Sequence, residues 1–386
     1  MKRFELATAA RIVFGPGCSA ELPSLAAELG SRALFVTGSR PDRSAEQQDA
    51  LRRAGLALEV LSVSNEPDIA AAERVAAAAR HAGCDLVIAM GGGSALDAGK
   101  AAAALAANPG EALDYLEVVG RGRALPHDPL PVIAVPTTAG TGSEVTRNAV
   151  LASPAERVKV SMRHARLLPR LALVDPSLCL SVPPSVTAAT GLDALTQCIE
   201  PFLSKRANPL CDAICRQGIQ LAARSLRRAF EDGRDLEARC DMSLASLCGG
   251  LALANAGLGA AHGFAGPIGG MFPGAPHGAV CARLLPHVLE ANLAALCARA
   301  PGSPAIDRFD ELGRLLTGRP GARAADGIDL VRALCEALAV PPLSAYGLSE
   351  DDLDSVVDRA ERASSMKANP VELTRDELAR ILQAAI

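Results

Sequence analysis

DLVIAMGGGSALDAGK (85–100) carries the strongest structural signal in the first half of this 386-residue chain. The run CDLVIAM (84–90) is continuously apolar, which is typical of a strand buried on both faces of a parallel sheet. Three glycines follow, and a helix is predicted to begin at Ser94, whose hydroxyl can cap it. Because glycines let the backbone approach a phosphate and a helix N-terminus offers free N–H groups, the turn favours phosphate binding. The spacing differs from the GxGxxG dinucleotide fingerprint, and many glycine-rich turns bind nothing.

Strand and helix patterns alternate on both sides of this stretch. RALFVTG (32–38), ALEVLSV (57–63) and PVIAVPT (131–137) predict strands. AEQQDALRRAG (45–55) and IAAAERVAAAARHAG (69–83) predict helices that end at a glycine. The order βαβαβ predicts a doubly wound α/β domain with a parallel sheet.

The second half of the chain has a different pattern. From about Pro183, long helical stretches run to the end, without a convincing strand among them. We therefore expect a boundary near VDPSLCLSVPPS (174–185), which separates an α/β domain (1–178) from an all-helical domain (179–386).

The composition is that of a globular protein. Hydrophobic residues make up 49% of the chain, and the net charge of −4 with no Trp gives no case for binding nucleic acid or an anionic membrane. No apolar run approaches the ~20 residues that span a bilayer, and MKRFELATAARIVFGPG (1–17) lacks the apolar segment of a signal peptide. The eleven cysteines, without a CxxC, are expected to be mostly buried thiols in a reducing cytoplasm.

GLDALTQCIEP (191–201) and two downstream histidines form a candidate metal site. Asp193 and Gln197 are four residues apart, so they share one face of a predicted helix. His262 lies in GAAHGF and His277 in APHGAV. A carboxylate and two imidazoles are typical metal ligands, but the fourth group is an amide. Either histidine alone fits a core or helix-capping role equally well.

A second polar loop follows the predicted strand at 131–137. VPTTAGTGSEVTRNAV (135–150) alternates hydroxyls and glycines, which can bind ribose, phosphate or a carboxamide, or can simply cap a turn. Two such loops at the carboxyl ends of two parallel strands favour a dinucleotide crevice.

Together these motifs resemble those of the iron-containing (group III) alcohol dehydrogenases. The residues that carry the resemblance are GGGSxxDxxK (91–100), PTTAGTGSEVT (136–146), GLDALT (191–196) and the pair formed by His262 and PHG (276–278). FGPG (14–17) and VDP (174–176) also fit, so the resemblance spans nearly the whole chain. It implies an NAD(P)-binding α/β domain, a helical metal and substrate domain, and iron or zinc as the cation. It also implies hydride transfer between NAD(P) and a small alcohol, aldehyde or ketone, in a homodimer or larger homo-oligomer.

The resemblance assigns roles to individual residues. The cofactor-binding residues are Gly38, Ser39, Gly92, Gly93, Ser94, Asp97, Thr137, Thr138, Thr141, Ser143 and Lys159. The metal ligands are Asp193, Gln197, His262 and His277, of which the last three also have catalytic roles.

Two positions depart from the family pattern. Gln197 replaces a histidine one turn after Asp193, and Gly266 replaces the second histidine of HxxxHPxG. An amide oxygen is a poorer ligand than imidazole for iron or zinc. One possibility is that Asp193, His262 and His277 hold the cation, with Gln197 as a weak ligand. Another is a metal-free site that binds the carbonyl of a keto acid or semialdehyde acid, as in the maleylacetate reductases.

More distant alternatives are a dehydroquinate-synthase-like lyase and an NAD-binding protein without turnover. For the cofactor, VTGSR (36–40) lacks the acidic residue that would repel a 2′-phosphate, and Arg40 is able to pair with one. This favours NADP(H), unless Arg40 is only a solvated loop charge.

Overall fold

The structure, a computed structural model, describes residues 3–64 and 66–386. The chain divides into two compact units. The sheet unit comprises Thr8–Thr138 and Gly142–Leu180, and the helical unit comprises the residues up to Ala7, Ala139–Thr141 and Ser181–Ile386.

The strands of the described chain all belong to the sheet unit. They are β1 (Ile12–Phe14), β2 (Arg32–Thr37), β3 (Ala57–Ser62), β4 (Leu86–Gly91), β5 (Val132–Pro136), β6 (Asn148–Ser153), β7 (Val158–Arg163) and β8 (Leu171–Val174). Six of them form a parallel sheet in the order β1-β8-β5-β4-β2-β3, and β6 pairs with β7 as an antiparallel hairpin. The predicted parallel α/β domain is confirmed, and the prediction missed β1, β8 and the hairpin.

The helices of the sheet unit cover the faces of the parallel sheet. They are α1 (Leu22–Ala27), α2 (Ala45–Arg53), α3 (Ile69–His81), α4 (Gly93–Ala107) and α5 (Ala112–Tyr115). Every residue of β4 is buried, which agrees with its continuous apolar sequence. The chain passes from β2 to β3 on one side and then to β4 on the other, so the strand order reverses between β2 and β4. Ligands of doubly wound folds bind at the carboxyl ends of the strands at such a switch point.

The motifs FGPG and VDP are joined by hydrogen bonds at the edge of this sheet. Asp175 accepts hydrogen bonds from the backbone N–H groups of Gly17 at 2.9 Å and Ser19 at 3.0 Å. β1 pairs with β8 directly before each motif. The two motifs therefore have a structural role here, since they fasten the first strand to the last.

The helical unit contains the remaining long helices. They are α6 (Pro184–Leu203), α7 (Pro209–Glu231), α8 (Leu236–Ala256), α9 (Ala260–Met271), α10 (His277–Arg299), α11 (Pro304–Thr317), α12 (Ala324–Ala337), α13 (Leu353–Glu361) and α14 (Arg375–Ala385). The predicted all-helical character of this half is confirmed for the described residues. Helix α10 is long and apolar enough to span a membrane, but most of it is buried in the core against α6, α9 and α12.

Candidate active site

Three loops of the sheet unit meet at the switch point of the sheet. They follow β2, β4 and β5, which are neighbours in the sheet with Thr37 opposite Met90 and Gly91 opposite Pro136. The N–H of Thr137 donates to the carbonyl of Gly91 at 2.9 Å. Most of the predicted cofactor residues lie in these loops or in the first turn of α4, namely Gly38, Ser39, Gly92, Gly93, Ser94, Thr137 and Thr138.

In the β4–α4 turn, close packing requires glycine at Gly91, whereas a Cβ on Gly92 would make only an ordinary contact. A Cβ atom on Gly91 would lie 2.7 Å from the Cβ of Ala95, and one on Gly92 would lie 3.4 Å from the Oγ1 of Thr138. A Cβ on Gly99 would lie 2.6 Å from the Cβ of Ala89, so helix α4 packs directly on β4. This is the geometry of a phosphate-binding turn, in which backbone rather than side chains faces the ligand.

Helix α4 begins at Gly93, with Gly92 in an extended conformation as its N-cap. The prediction that Ser94 caps the helix is wrong, since Ser94 already lies within the first turn. Among the described residues, no side chain caps this helix. The N–H of Ala95 donates to the carbonyl of Gly92 at 3.0 Å, so the N–H groups of Gly93 and Ser94 are the ones that can meet an anion such as a pyrophosphate.

Asp97 and Ser143 take part in a polar network beside the glycine turn. The Ser143 hydroxyl donates to one carboxylate oxygen of Asp97, and the N–H of Val150 donates to the other at 3.1 Å. Lys100, which is fully buried, reaches Asp97 at 3.1 Å and donates to the carbonyl of Ser143 at 2.9 Å. The network fastens the polar loop after β5 to helix α4, so it holds Asp97 and Ser143 in place by contacts within the protein.

Lys100 and Glu144 have perturbed pKa values within this network. Burial lowers the pKa of Lys100, although Asp97 offsets part of the effect. Burial raises the pKa of Glu144 to about 7, although Lys100 opposes the shift. Both residues belong to the recognised motifs, yet neither was predicted as a functional residue.

Thr141 and Lys159, the remaining predicted cofactor residues, lie elsewhere in the chain, and Arg40 follows Ser39 in the loop after β2. Thr141 belongs to Ala139–Thr141, which is counted with the helical unit. Lys159 lies on β7 and pairs with Glu66 at 2.5 Å. The Arg40 guanidinium makes a two-point ion pair with Asp42, at 2.9 and 3.1 Å. A 2′-phosphate would therefore have to compete with Asp42 for Arg40.

The predicted metal ligands come together inside the helical unit. Asp193 and Gln197 lie on α6, His262 lies on α9, and His277 is the first residue of α10. Nε2 of His262 lies 3.3 Å from Oδ1 of Asp193, and Nε2 of His277 lies 3.9 Å from the same oxygen. Residues that are far apart in sequence thus place their ligand atoms around one point.

Three polar atoms of this cluster are buried without a hydrogen-bond partner among the described residues. They are Oδ1 of Asp193, Oε1 of Gln197 and Nε2 of His262. Buried polar atoms are nearly always hydrogen-bonded, so three unpaired atoms in one cluster point to a missing partner. Because an ionised carboxylate and an amide oxygen accept but do not donate, the partner that suits them is a cation. The residues present therefore fit the divalent cation that the family resemblance implies.

Glu200 sets the tautomer of His262. Its Oε2 lies 2.7 Å from Nδ1 of His262, and its Oε1 accepts the N–H of Ala261 at 2.7 Å. Because an ionised carboxylate only accepts, Nδ1 carries the proton and Nε2 keeps a free lone pair. A carboxylate behind a metal-binding histidine is a common arrangement that orients the ring and raises its basicity.

Gln197 contacts Asp193 from the same helix face. Its Nε2 donates to Oδ2 of Asp193 at 2.9 Å, which leaves Oδ1 directed at the histidines. Gly249 faces this amide, and a Cβ there would lie 3.0 Å from the Cβ of Gln197. The amide therefore fixes the orientation of the carboxylate, whether or not its own oxygen binds a cation.

Cys281 also belongs to the cluster, although the sequence analysis did not single it out. Its Sγ lies 3.7 Å from Nε2 of His277, and the ligand atoms of Asp193, His262, His277 and Cys281 all lie within 4.8 Å of one another. Its spacing of four residues from His277, on one helix face, was the available signal. Glu200 was missed as well, although it follows Gln197 by three residues on α6.

The charges of the cluster shift its pKa values in opposite directions. Burial would lower the pKa of His262, but Cys281 and Glu200 raise it well above its ordinary value. Burial would raise the pKa of Asp193 and of Cys281, but the two histidines lower both. Protons and a divalent cation therefore compete for the same atoms.

Two glycines near the cluster differ in the space around them. A Cβ on Gly278 would lie 2.2 Å from the carbonyl oxygen of Ala189 and 3.2 Å from the Cβ of Asp193, so α10 begins in direct contact with α6. This contact explains why glycine follows His277. At Gly266, in contrast, no described atom outside its own chain neighbours lies within 4 Å of a Cβ. The position at which the family pattern has a histidine is therefore open.

Comparisons with known proteins cover nearly the whole chain. Residues 9–176 match the family model "Iron-containing alcohol dehydrogenase", and residues 187–386 match "Fe-containing alcohol dehydrogenase family, C-terminal". The long-chain-alcohol dehydrogenase 1 of Geobacillus thermodenitrificans is 39% identical over 341 residues, which cover 87% of this chain and 84% of that protein.

Solved structures agree with these matches. A crystal structure of 1,3-propanediol oxidoreductase has a TM-score of 0.92 at 33% identity and covers 100% of both chains. The sulfoacetaldehyde reductase from Bifidobacterium kashiwanohense, solved in complex with NAD+, has a TM-score of 0.87 at 31% identity and covers 100% of this chain and 99% of that one.

These matches support NAD-dependent alcohol oxidoreduction. They give no support to a keto-acid reductase, a lyase or a protein without turnover over that activity. The chain belongs to the iron-containing alcohol dehydrogenase family, whose enzymes use NAD(H) and a metal.

Proposed function

We propose that this enzyme interconverts a small alcohol and its aldehyde or ketone at a divalent cation held by Asp193, His262 and His277. The observation that carries the proposal is the convergence of unpaired, buried acceptor atoms in the helical unit. Beside its protein ligands, a catalytic metal site needs a position for the substrate oxygen. Zinc can expand to five ligands, so it keeps that position even when a fourth protein donor is present.

The cation, when bound, supplies a Lewis acid for the substrate oxygen, and the nicotinamide supplies or accepts the hydride. Asp193 offers its Oδ1 to the site because Gln197 holds Oδ2. Glu200 holds the proton of His262 on Nδ1, so Nε2 stays a ligand atom. The side chain of His277 is 33% exposed whereas that of Asp193 is 3% exposed, so the substrate approaches from the His277 side.

The proton of the alcohol needs a route out of the site. Gly266 leaves open space at the position for which the family pattern HxxxHPxG implies a histidine, so residue 266 offers no side chain that could take the proton. We assign this step to water and to the ribose hydroxyls of the cofactor, since a hydroxyl both donates and accepts.

The nucleotide belongs to the switch-point loops of the sheet unit. Gly92, Gly93 and Ser94 meet the pyrophosphate at the N-terminus of α4, and Thr137 and Thr138 line the adjacent position. Asp97 and Ser143 act by positioning these loops, because they are bonded to each other. The resemblance also implies cofactor contacts for Lys159, near the ribose, and for Thr141, beside the nucleotide and nicotinamide.

The proposal also includes the cellular compartment and the oligomeric state of the enzyme. The eleven cysteines form no disulfide in the described structure, and eight of them are buried, which supports a reducing cytoplasm. The family resemblance supports a homodimer or a larger homo-oligomer.

The test uses the full-length protein, stripped of metal and then reloaded with zinc or iron. Oxidation of NADH and NADPH by a panel of short aldehydes is followed by the loss of reduced-nicotinamide absorbance. We expect turnover in the loaded wild type and a loss of roughly a hundredfold or more in Asp193→Asn, since a buried electrostatic contribution of this kind is worth that much. Turnover in the stripped protein and in Asp193→Asn that equals that of the loaded wild type would contradict the proposal.

A further inference from the structure

We infer that Cys281 supplies the fourth protein donor of the cation site, as a thiolate, and that the site is therefore suited to zinc rather than to iron. The inference rests on the proposed function in one respect, namely that the cluster holds a divalent cation. It adds a ligand that neither the family pattern nor the matched families assign.

Three of the six separations between ligand atoms in the cluster come close to the edges of a tetrahedral zinc site. Zinc binds nitrogen and oxygen ligands at about 2.0–2.1 Å and thiolate sulfur at about 2.3 Å, so a tetrahedron has edges of about 3.3 Å between N and O and about 3.6 Å between N and S. The observed separations are 3.3 Å between His262 Nε2 and Asp193 Oδ1, and 3.7 Å between Cys281 Sγ and His277 Nε2. The separation of 3.9 Å between His277 Nε2 and Asp193 Oδ1 is slightly wider.

The thiol of Cys281 is accompanied by other candidate ligand atoms for the cation. Oδ1 of Asp193 and Nε2 of His262 are buried and unpaired in the same cluster, and both are natural zinc ligand atoms. Cys281 is itself fully buried, so its sulfur has no access to bulk solvent. Because it follows His277 by one helical turn on α10, the two ligand atoms come from one rigid element.

Cys281 compensates for the histidine that Gln197 replaces. An amide oxygen is a weak zinc ligand, whereas thiolate is among the preferred ones. Gln197 is in addition occupied with Asp193 through its Nε2. The anionic carboxylate and thiolate together balance the double charge of the ion, whereas one carboxylate and three neutral histidines leave a positive charge. Softer donors favour zinc over the harder divalent ions.

The direct test is X-ray absorption at the zinc edge of the full-length protein, loaded with one zinc per chain. We expect one sulfur neighbour at about 2.3 Å in the wild type, and only nitrogen and oxygen neighbours at about 2.0–2.1 Å in Cys281→Ser. Cys297→Ser is the matched control, because Cys297 is exposed on the same helix and should leave the sulfur neighbour in place.

Cobalt gives a second readout that does not depend on activity. Loading with Co²⁺ should produce a thiolate-to-cobalt charge-transfer band in the near ultraviolet in the wild type and in Cys297→Ser, but not in Cys281→Ser. Zinc affinity, measured against a chelator, should fall by about tenfold or more in Cys281→Ser, since loss of a residue that only supports a ligand already lowers affinity by 10–100-fold.

The possible outcomes separate this inference from the proposed function. One bound zinc without a sulfur neighbour in the wild type would overturn the assignment of Cys281 and leave the cation site intact. If the Cys281→Ser variant does not fold, the wild-type spectrum alone decides. A chain that binds no zinc or cobalt at all would overturn both the inference and the proposed function.

Discussion

The Nδ1 atom of His262 on α9 lies 2.7 Å from Oε2 of Glu200 on α6. Both side chains are buried, and the other Glu200 oxygen accepts the N–H of Ala261, so the carboxylate is fixed from two directions. This contact leaves Nε2 of His262 as an acceptor without a partner in the described structure, beside Oδ1 of Asp193. Glu200 thus determines which nitrogen of His262 faces the cation.

Replacing Glu200 tests this relationship. In Glu200→Gln, an amide oxygen can still accept a hydrogen bond, but the negative charge behind the imidazole is lost. We expect zinc affinity to fall by about 10–100-fold, as for other residues that orient a ligand. Competition with a chelator measures the affinity, and Glu237→Gln is an exposed control that should leave it unchanged. An unaltered affinity in Glu200→Gln would show that the contact does not support the site.

Gly278 tests the packing that brings His277 to Asp193. In Gly278→Ala the new methyl group would lie 2.2 Å from the carbonyl oxygen of Ala189, so the start of α10 must move away from α6. We expect a loss of stability of about 1–3 kcal/mol, the usual range for overpacking, and a loss of bound zinc. Thermal unfolding and metal content measure the two effects. Gly274→Ala, where no described atom lies within 4 Å of the new group, should change neither, and equal behaviour of both variants would contradict the account.

The buried carboxyl group of Glu144 predicts a pH dependence of stability. Its pKa is raised from 4.5 to about 7 in the folded protein, mainly by burial. The folded state therefore binds this proton more tightly than the unfolded state. The contribution of Glu144 to stability is fully present below pH 4.5 and is lost as the pH rises through about 7. A shift of this size corresponds to about 3 kcal/mol.

Comparison with Glu144→Gln isolates the contribution of that carboxyl group from those of the other titrating residues. The free energy of unfolding is measured in denaturant at acidic and mildly alkaline pH for both proteins. We expect the wild type to lose stability relative to the variant across this range. Parallel pH profiles would mean that Glu144 does not titrate in this window, for instance because Lys100 holds it ionised.

The ion pair of Arg40 with Asp42 bears on the choice of cofactor. Sequence reasoning favours acceptance of NADP(H) through Arg40, and the structure shows that Asp42 competes for the guanidinium. We expect Asp42→Asn to raise kcat/KM with NADPH, and Arg40→Ala to lower it by about tenfold or more, since a charge-assisted hydrogen bond contributes about 1.5–3 kcal/mol. Neither change should alter kcat/KM with NADH appreciably. A strong preference of the wild type for NADH would contradict the prediction.

The sequence predicted those elements whose pattern is strong and local. Strand β4 was recognised because its residues are all apolar, and α3 because its apolar positions repeat with helical spacing and end at glycine. Strands β1 and β8 were missed because three or four residues carry too little periodicity. Helix α9 was missed because Gly263, Gly266 and Pro267 disfavour a helix, and it forms through burial of residues such as Phe264 and Ile268.

In the candidate site, too, sequence reasoning found the residues that match a known pattern and missed those whose role depends on tertiary contacts. Asp193, His262 and His277 were found because their types and order match a known pattern. Cys281 was treated as one of many buried thiols, because a sequence gives no distance between its sulfur and His277. Glu200 was overlooked because its role depends on α9 packing against α6, which is a tertiary contact. The network around Lys100 likewise becomes visible only when the loop after β5 is placed beside α4.

The metal content of the protein purified without chelator, measured by mass spectrometry of digested samples beside Gln197→His, tests the central claim most directly. The account predicts about one divalent ion, zinc, per wild-type chain, because Asp193, His262, His277 and Cys281 already supply four donors. The variant should then hold the same amount. If the wild type contains no metal while the Gln197→His variant binds it, the account is contradicted. That result would mean that the replacement of a histidine by Gln197 has produced a site that works without metal.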